Sequence, residues 1–415
     1  MKKIRVDDLG KIVTGKTPRT NIPENYGGNV PFLTPTDDLS PMKCRTTLNT
    51  ISELGLKEVK NCIIPKDSIC VSCIGSDMGH AIMTSKATVT NQQFNSIIPS
   101  KDYHPEYVYY LMVLLGRMMK SKFGKSSTAV PIVSKSLFSS FEIYIEDDKR
   151  KQKEISDVLA NIDEKIALNT RMNAELEAMA KQLYDYWFVQ FDFPDENGNP
   201  YKSSGGKMVY NSTLKREIPA GWEDCEIKDI AEVVNGATPL TTNPDNYGNA
   251  IIWITPNDLS NQKSKFVSCG ERSITQNGYD SCSTTLMPAG SVLMSSRAPI
   301  GLMAIAEVEL CTNQGFKNFV PFDMTDNYFL YYYIKEHMAQ IEQLGAGTTF
   351  REVSRDTMLK FPILKISDRG LYSKWYEQID SICKEQKNLL LQIRHLTHLR
   401  DSLLPMLMNG QVTVE

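Results

Sequence analysis

No stretch of this chain is apolar for long enough to cross a bilayer: the longest such run, Tyr107 to Leu115, has nine residues, and a spanning helix needs about 20. The opening Met1-Lys2-Lys3 leads into charged residues and not into an apolar signal segment, so a cytoplasmic location and no membrane partner are expected. Cysteine is scarce and odd in number, nine scattered over 415 residues, which fits reduced thiols better than a disulfide scaffold. Cys70-Val71-Ser72-Cys73 is the one metal-like spacing. With no second pair nearby it falls short of the four ligands of a structural zinc site. The aligned Leu293 and Ser296 of a later copy make these small or apolar core positions. Only five histidines occur, and they offer no nucleophile and base arrangement. His395 and His398 share one helical side, as a metal pair would, but a polar coiled-coil flank fits them better. Gly124-Lys125-Ser126 resembles the end of a phosphate-binding loop, yet Met119 stands where the second glycine belongs.

The composition that remains, 41% hydrophobic and 23% charged, is that of an ordinary soluble protein of two or three domains. A formal charge of −3 argues weakly against a nucleic-acid partner until it is divided along the chain. Residues 1–150 hold 20 basic against 15 acidic residues, whereas 151–196 hold 5 against 10. Any phosphate track must therefore lie on local patches of the globular parts.

The dominant pattern is a pair of rods. From Gln152 to Phe188 a four-three spacing selects Ile155, Leu159, Ile162, Ile166, Asn169, Asn173, Leu176, Ala180, Leu183 and Trp187, with no glycine or proline inside. That is a coiled-coil seam on a helix of about 55 Å. Trp375, Ile379, Ile382, Gln386, Leu389, Ile393, Leu396, Arg400, Leu403 and Leu407 repeat it 220 positions later. Both seams are polar near the middle, a device that fixes register and partner.

The segments before the rods repeat as well. Ile12-Val13-Thr14-Gly15-Lys16-Thr17-Pro18 returns as Val233-Val234-Asn235-Gly236-Ala237-Thr238-Pro239, Asn25-Tyr26-Gly27 as Asn246-Tyr247-Gly248, and Thr90-Asn91-Gln92-Gln93-Phe94 as Thr312-Asn313-Gln314-Gly315-Phe316. Each copy reads as mainly β, with short β-branched runs punctuated by Pro, Gly, Asp and Ser. The helix-like exceptions are 105–122 and 326–344. The chain is therefore an α+β protein with a pseudo-two-fold internal repeat. A first globular domain spans 1–150, a long helix 151–191, an exposed Pro-, Gly- and Ser-rich linker 192–221, a second domain 222–368 and a second long helix 369–415.

Leu183-Tyr184-Asp185-Tyr186-Trp187-Phe188 leading into Phe191-Asp192-Phe193-Pro194, and Leu399-Arg400-Asp401-Ser402-Leu403-Leu404-Pro405 leading into Asn409-Gly410, end the two rods. With the duplicated domains they make the chain resemble, over its full length, the specificity subunit of a type I restriction-modification system. The resemblance implies two target-recognition domains, each reading one half of a split sequence in double-stranded DNA. It also implies an antiparallel pair of helices that sets their spacing and docks two methyltransferase (modification) subunits, with restriction subunits in the full complex. S-adenosylmethionine, ATP and Mg would then belong to those partners, and this chain would carry no cofactor and no catalytic residue. Consistent with this, the chain lacks the glycine-rich nucleotide turn and the Asn/Asp-Pro-Pro-aromatic loop of a self-sufficient adenine methyltransferase. An enzyme acting on DNA alone and a protein-binding scaffold are the alternatives.

Identical motifs in two heads that read different sequences suit a structural or phosphate-contacting role, so Asn91, Gln92, Asn313 and Gln314 are expected to brace the fold or a phosphate before reading adenine. Divergent positions are the better base readers: Lys16 against Ala237, Arg19 against Leu240, and Ile74 against Arg297, the last being the strongest single candidate. Lys317 and Arg351 complete the set of candidate DNA-contacting cations. The loops holding Lys125, Ser126, Ser127 and Thr128, and Thr348 and Thr349, either approach the DNA backbone through small hydroxyl residues or are simple turns.

Overall fold

A computed structural model describes residues 1–75, 77–124, 131–297, 299–345 and 351–414. The chain divides into two compact units, Met1–Asn173 with Leu389–Glu415, and Ala174–Asn388. The sequence repeat reappears as one sheet built twice. In the first unit a five-stranded sheet runs in the order Gly10–Thr14, Phe94–Pro99, Ile69–Ser72, Ala81–Thr84, Lys43–Cys44. In the second the order is Ala231–Asn235, Phe316–Pro321, Val292–Ser295, Met303–Ala306, Phe266–Val267. Register repeats too: Asn95 pairs with Thr14 as Lys317 pairs with Asn235.

The middle strands are buried along their whole length, because both faces of the sheet are covered. In the first unit Ile69 and Val71 face the helix Pro105–Phe123, which contributes Tyr107, Val108, Leu111, Met112 and Leu115 to that layer. Cys70 faces the other way, among Val13, Leu33, Ile64, Ile82 and Phe94. Cys70 and Cys73 therefore belong to different core layers, and burial pushes their thiols up to about 12 and about 11. Helix and sheet approach closely at Gly79 and Gly116, where a methyl on Gly116 would stand 1.9 Å from the Gly79 carbonyl oxygen. In the second unit the equivalent Gly301 meets the side chain of Met338. The helix there is broken at His337 into Asn327–Glu336 and Met338–Gln343. The imidazole stacks on Tyr333 at 4.1 Å and reaches that residue's carbonyl at 2.9 Å, which ends the first segment where a single helix was expected.

The two rods are the helices Lys149–Tyr184, continued by a π-helical turn over Asp185–Val189, and Arg369–Met408, which accommodates Pro405 in its last turn. Within the first unit Ile155 and Leu159 share a core with Leu404 and Leu407, Asp163 meets Arg400 at 2.8 Å, and Asn169 meets Gln392 at 3.1 Å. Within the second, Glu177 meets Gln386 at 3.3 Å and Phe188 packs on Trp375. One number climbs as the other falls, so the helices are antiparallel in each unit. Ile162, Ile166, Leu176, Leu183, Ile382, Ile393, Leu396 and Leu403 are half-buried along the seam, while Trp187, Trp375, Ile379 and Leu389 are buried.

The connection after the first rod is exposed over much of its length but has structure of its own. Met208–Asn211 pairs with Arg216–Pro219 as a hairpin. Phe193 stacks between Tyr201 and Trp222, and the Arg216 guanidinium lies 4.5 Å over Phe191 while donating to the carbonyls of Phe188 and Val189.

Candidate nucleic-acid interface

Antiparallel order brings the end of Gly10–Thr14, the start of Phe94–Pro99, the end of Ile69–Ser72 and the start of Ala81–Thr84 to one edge of the sheet. The loops leaving that edge, and the equivalent edge of the second unit, hold most of the candidate residues among those described. Gly15 is pressed so closely on the Thr90-Asn91 backbone that a Cβ would lie 2.1 Å from the Asn91 carbonyl oxygen, and Gly236 meets Asn313 at the same distance. Thr17 donates its hydroxyl to the Gln92 side-chain carbonyl at 2.7 Å, and Thr238 does the same to Gln314. The Asn91 side chain accepts from the Gln93 amide at 3.0 Å, as Asn313 does from Gly315 at 2.9 Å. The repeated Thr-Asn-Gln triplet thus holds the neighbouring loop in place. Gln92 and Gln314 stay exposed at its tip, whereas Asn91 is buried.

The repeated Asn-Tyr pair fixes the rest of that loop. Asn25 and Asn246 are buried and donate to the carbonyls of Arg19 and Leu240, both at 3.1 Å. Tyr26 and Tyr247 donate to Pro18 and Pro239. On this common backbone Lys16 is exposed against a half-buried Ala237, and Arg19 is exposed against an exposed Leu240. Arg19 is not a free cation: its Nε and Nη2 both donate to Glu58 Oε1, at 2.9 and 2.7 Å. That hydrogen bond holds the Glu58 carboxyl down at about 2.

A second station adjoins the first. Cys73 donates its amide to Gln93 and accepts from Val133, and Ser296 likewise donates to Gly315 and accepts from Val353. Beside these bonds lie two equivalent backbone bridges, Ile74 with Ile132 and Arg297 with Glu352. Arg297 is exposed, donates to the Gln314 carbonyl at 3.3 Å and stands 3.8 Å from Glu352. Lys317 differs from its expected place at the surface: only 6% exposed, it pairs with Glu352 at 3.2 Å behind Arg297. Arg351 is exposed. Lys125, Ser126, Ser127, Thr128, Thr348 and Thr349 lie outside the described residues. Glu58 and Glu352, which hold the two arginines, escaped the sequence reading because only proximity in the fold links them to Arg19 and Arg297.

Each head is also tied to the long helices within its own unit by a tyrosine. Tyr110 donates to Asp163 at 2.7 Å, and Asp163 also receives Arg400. Tyr332 donates to Glu177 at 3.0 Å, alongside Lys265 at 2.8 Å, whose side chain is 5% exposed. Burial works to raise the Glu177 carboxyl, but the Lys265 and Lys335 ammonium groups outweigh it and hold the group below its ordinary range. Burial and the adjacent carboxylates push both tyrosine hydroxyls far up, so they remain donors. Among the described residues no cluster of three or more His, Cys, Asp or Glu side chains is arranged to hold a metal.

Comparison with known proteins gives this geometry a family. The type I restriction modification DNA specificity domain matches twice, over residues 1–178 and 219–364. The type I restriction enzyme MjaIX specificity subunit of Methanocaldococcus jannaschii is 42% identical over 149 residues, 35% of this chain and 34% of that protein, so the match spans about a third of its length. The type I restriction enzyme HindI specificity subunit of Haemophilus influenzae is 24% identical over 390 residues, 82% of this chain and 83% of that one. In fold the chain is similar to the S subunit of a type I restriction-modification system from M. genitalium, with a TM-score of 0.59 at 13% identity over 98% of this chain and 96% of the other. With both of its globular copies matched by the family's domain, the chain belongs to the type I restriction-modification DNA specificity family.

Proposed function

We propose that this chain is the sequence-reading subunit of a type I restriction-modification complex, and that each head reads one half of a bipartite target in double-stranded DNA. The observation that carries this is the repeated loop edge. Its bracing residues are the same in both heads, while Lys16, Arg19 and Ile74 in one face Ala237, Leu240 and Arg297 in the other. A scaffold with constant supports and variable tips suits recognition of two different half-sequences by base contacts, with phosphates held by surrounding cations and hydroxyls.

The long helices then act as spacer and as docking surface for two methyltransferase subunits, and through them for restriction subunits. In the first unit they leave Leu168, Met172, Leu391 and Leu399 exposed, and in the second Met179, which supports a protein partner there. Methyl transfer to adenine, ATP hydrolysis and DNA cleavage belong to those partners, which hold S-adenosylmethionine, ATP and Mg. The complex works in the cytoplasm, and among the described residues no helix is long and apolar enough to cross a membrane. Mapping methylated adenines in DNA modified by the reconstituted complex tests the proposal. The expected result is one split motif with an unspecified spacer, and methylation at a continuous motif or at random adenines would refute it.

A further inference from the structure

The two heads share a backbone at the sheet edge but exchange what they expose on it. At the first station the first head carries Arg19 bound to Glu58, and the second carries Leu240, 67% exposed. At the bridge station the second head carries the pair Arg297 and Glu352, and the first carries Ile74, half-buried, in the place of Arg297 and Ile132, 62% exposed, in the place of Glu352. At these two stations each head thus presents one arginine–glutamate pair where the other has an exposed aliphatic side chain, close to the exposed Gln92 or Gln314. A single exposed aliphatic residue is ordinary. Two of them, each at a station where the other head has an arginine–glutamate pair, are not what stability asks for, since a packing need would repeat the same residue at the same station. Base reading does ask for it. In the major groove guanine presents two acceptors that suit arginine, and thymine presents a methyl group that an apolar side chain meets.

Resting on the reading of the heads as DNA readers, we infer that Ile132 and Leu240 each contact the C5 methyl of a thymine, Ile132 in the first head's half-site and Leu240 in the second's. The probe is the mapped target duplex with its thymines replaced one at a time by deoxyuridine, which lacks only that methyl, bound by the complex reconstituted with its modification subunits. One replacement in each half-site should weaken binding about fourfold, the worth of one buried methyl. Ile132→Ala should abolish that discrimination in the first half alone, and Leu240→Ala in the second alone. Because the decisive change lies in the DNA, the unaltered protein already gives an answer. A half-site without thymine, equal binding of every deoxyuridine duplex, or a variant that still discriminates would overturn the inference. Failure of the unaltered complex to modify any defined sequence would overturn the underlying reading instead.

Discussion

Arg297 is held at two points, by the Gln314 carbonyl and by Glu352, so its guanidinium is oriented before any partner arrives. Arg297→Ala should therefore cost about 1–3 kcal/mol of target binding and relax preference mainly in one half-site, as for a bidentate contact to guanine. Competition binding against half-site variants measures this. An equal loss on all sequences with a shallower salt dependence would make Arg297 a phosphate contact. Lys317→Met should act differently, leaving the target unchanged while altering the stability of the second unit, because its charge is paired inside. Repetition of the Thr-Asn-Gln triplet pointed to a bracing or phosphate-contacting place, and in both units its Gln accepts from the threonine of the neighbouring loop. The burial of Lys317 was not legible in the sequence. Its counterpart Asn95 is polar too, and nothing local announces that Glu352 will close over it.

The seam positions of both long helices could be read from spacing alone, because coiled-coil packing depends on a local period. Their second buried face could not. Gln152, Ser156, Asp163, Glu177 and Tyr184 look like solvent-facing flanks, yet Gln152 and Ser156 are fully buried and Asp163 and Glu177 receive the tyrosines of the heads. That face exists only because a head docks there, which is tertiary information. Glu177→Gln should destabilise the protein at neutral pH by about 2 kcal/mol, since hydrogen bonds to a charged group are lost. With its carboxyl held below the ordinary range, the contribution of Glu177 is full above the unfolded value of about 4.3 and fades as pH falls through the lower folded value. Thermal unfolding of both proteins from pH 7 down to pH 3 should show the gap closing with acid. Gly116→Ala should cost about 3 kcal/mol through overpacking against the Gly79 carbonyl.

At the scale of the whole molecule, the repeat of about 220 residues was the most readable feature, and it alone implied one fold built twice. The isolated chain should not bind S-adenosylmethionine, which calorimetry would decide; tight, saturable binding would contradict a pure recognition subunit. If the long helices set the spacer, a four-residue insertion between Asn169 and Asn173 adds at most about 6 Å. With about 3.4 Å per base pair, the spacer should lengthen by one or two base pairs while both half-sequences stay the same. The polar seam there makes insertion tolerable, because it shifts phase locally and spares the apolar layers. That each head reads its own half of the target is tested by exchanging residues 1–150 for the equivalent domain of a relative and mapping methylated adenines. The expected outcome is a new sequence in one half with the other half unchanged. A change in both halves, or in neither, would contradict it.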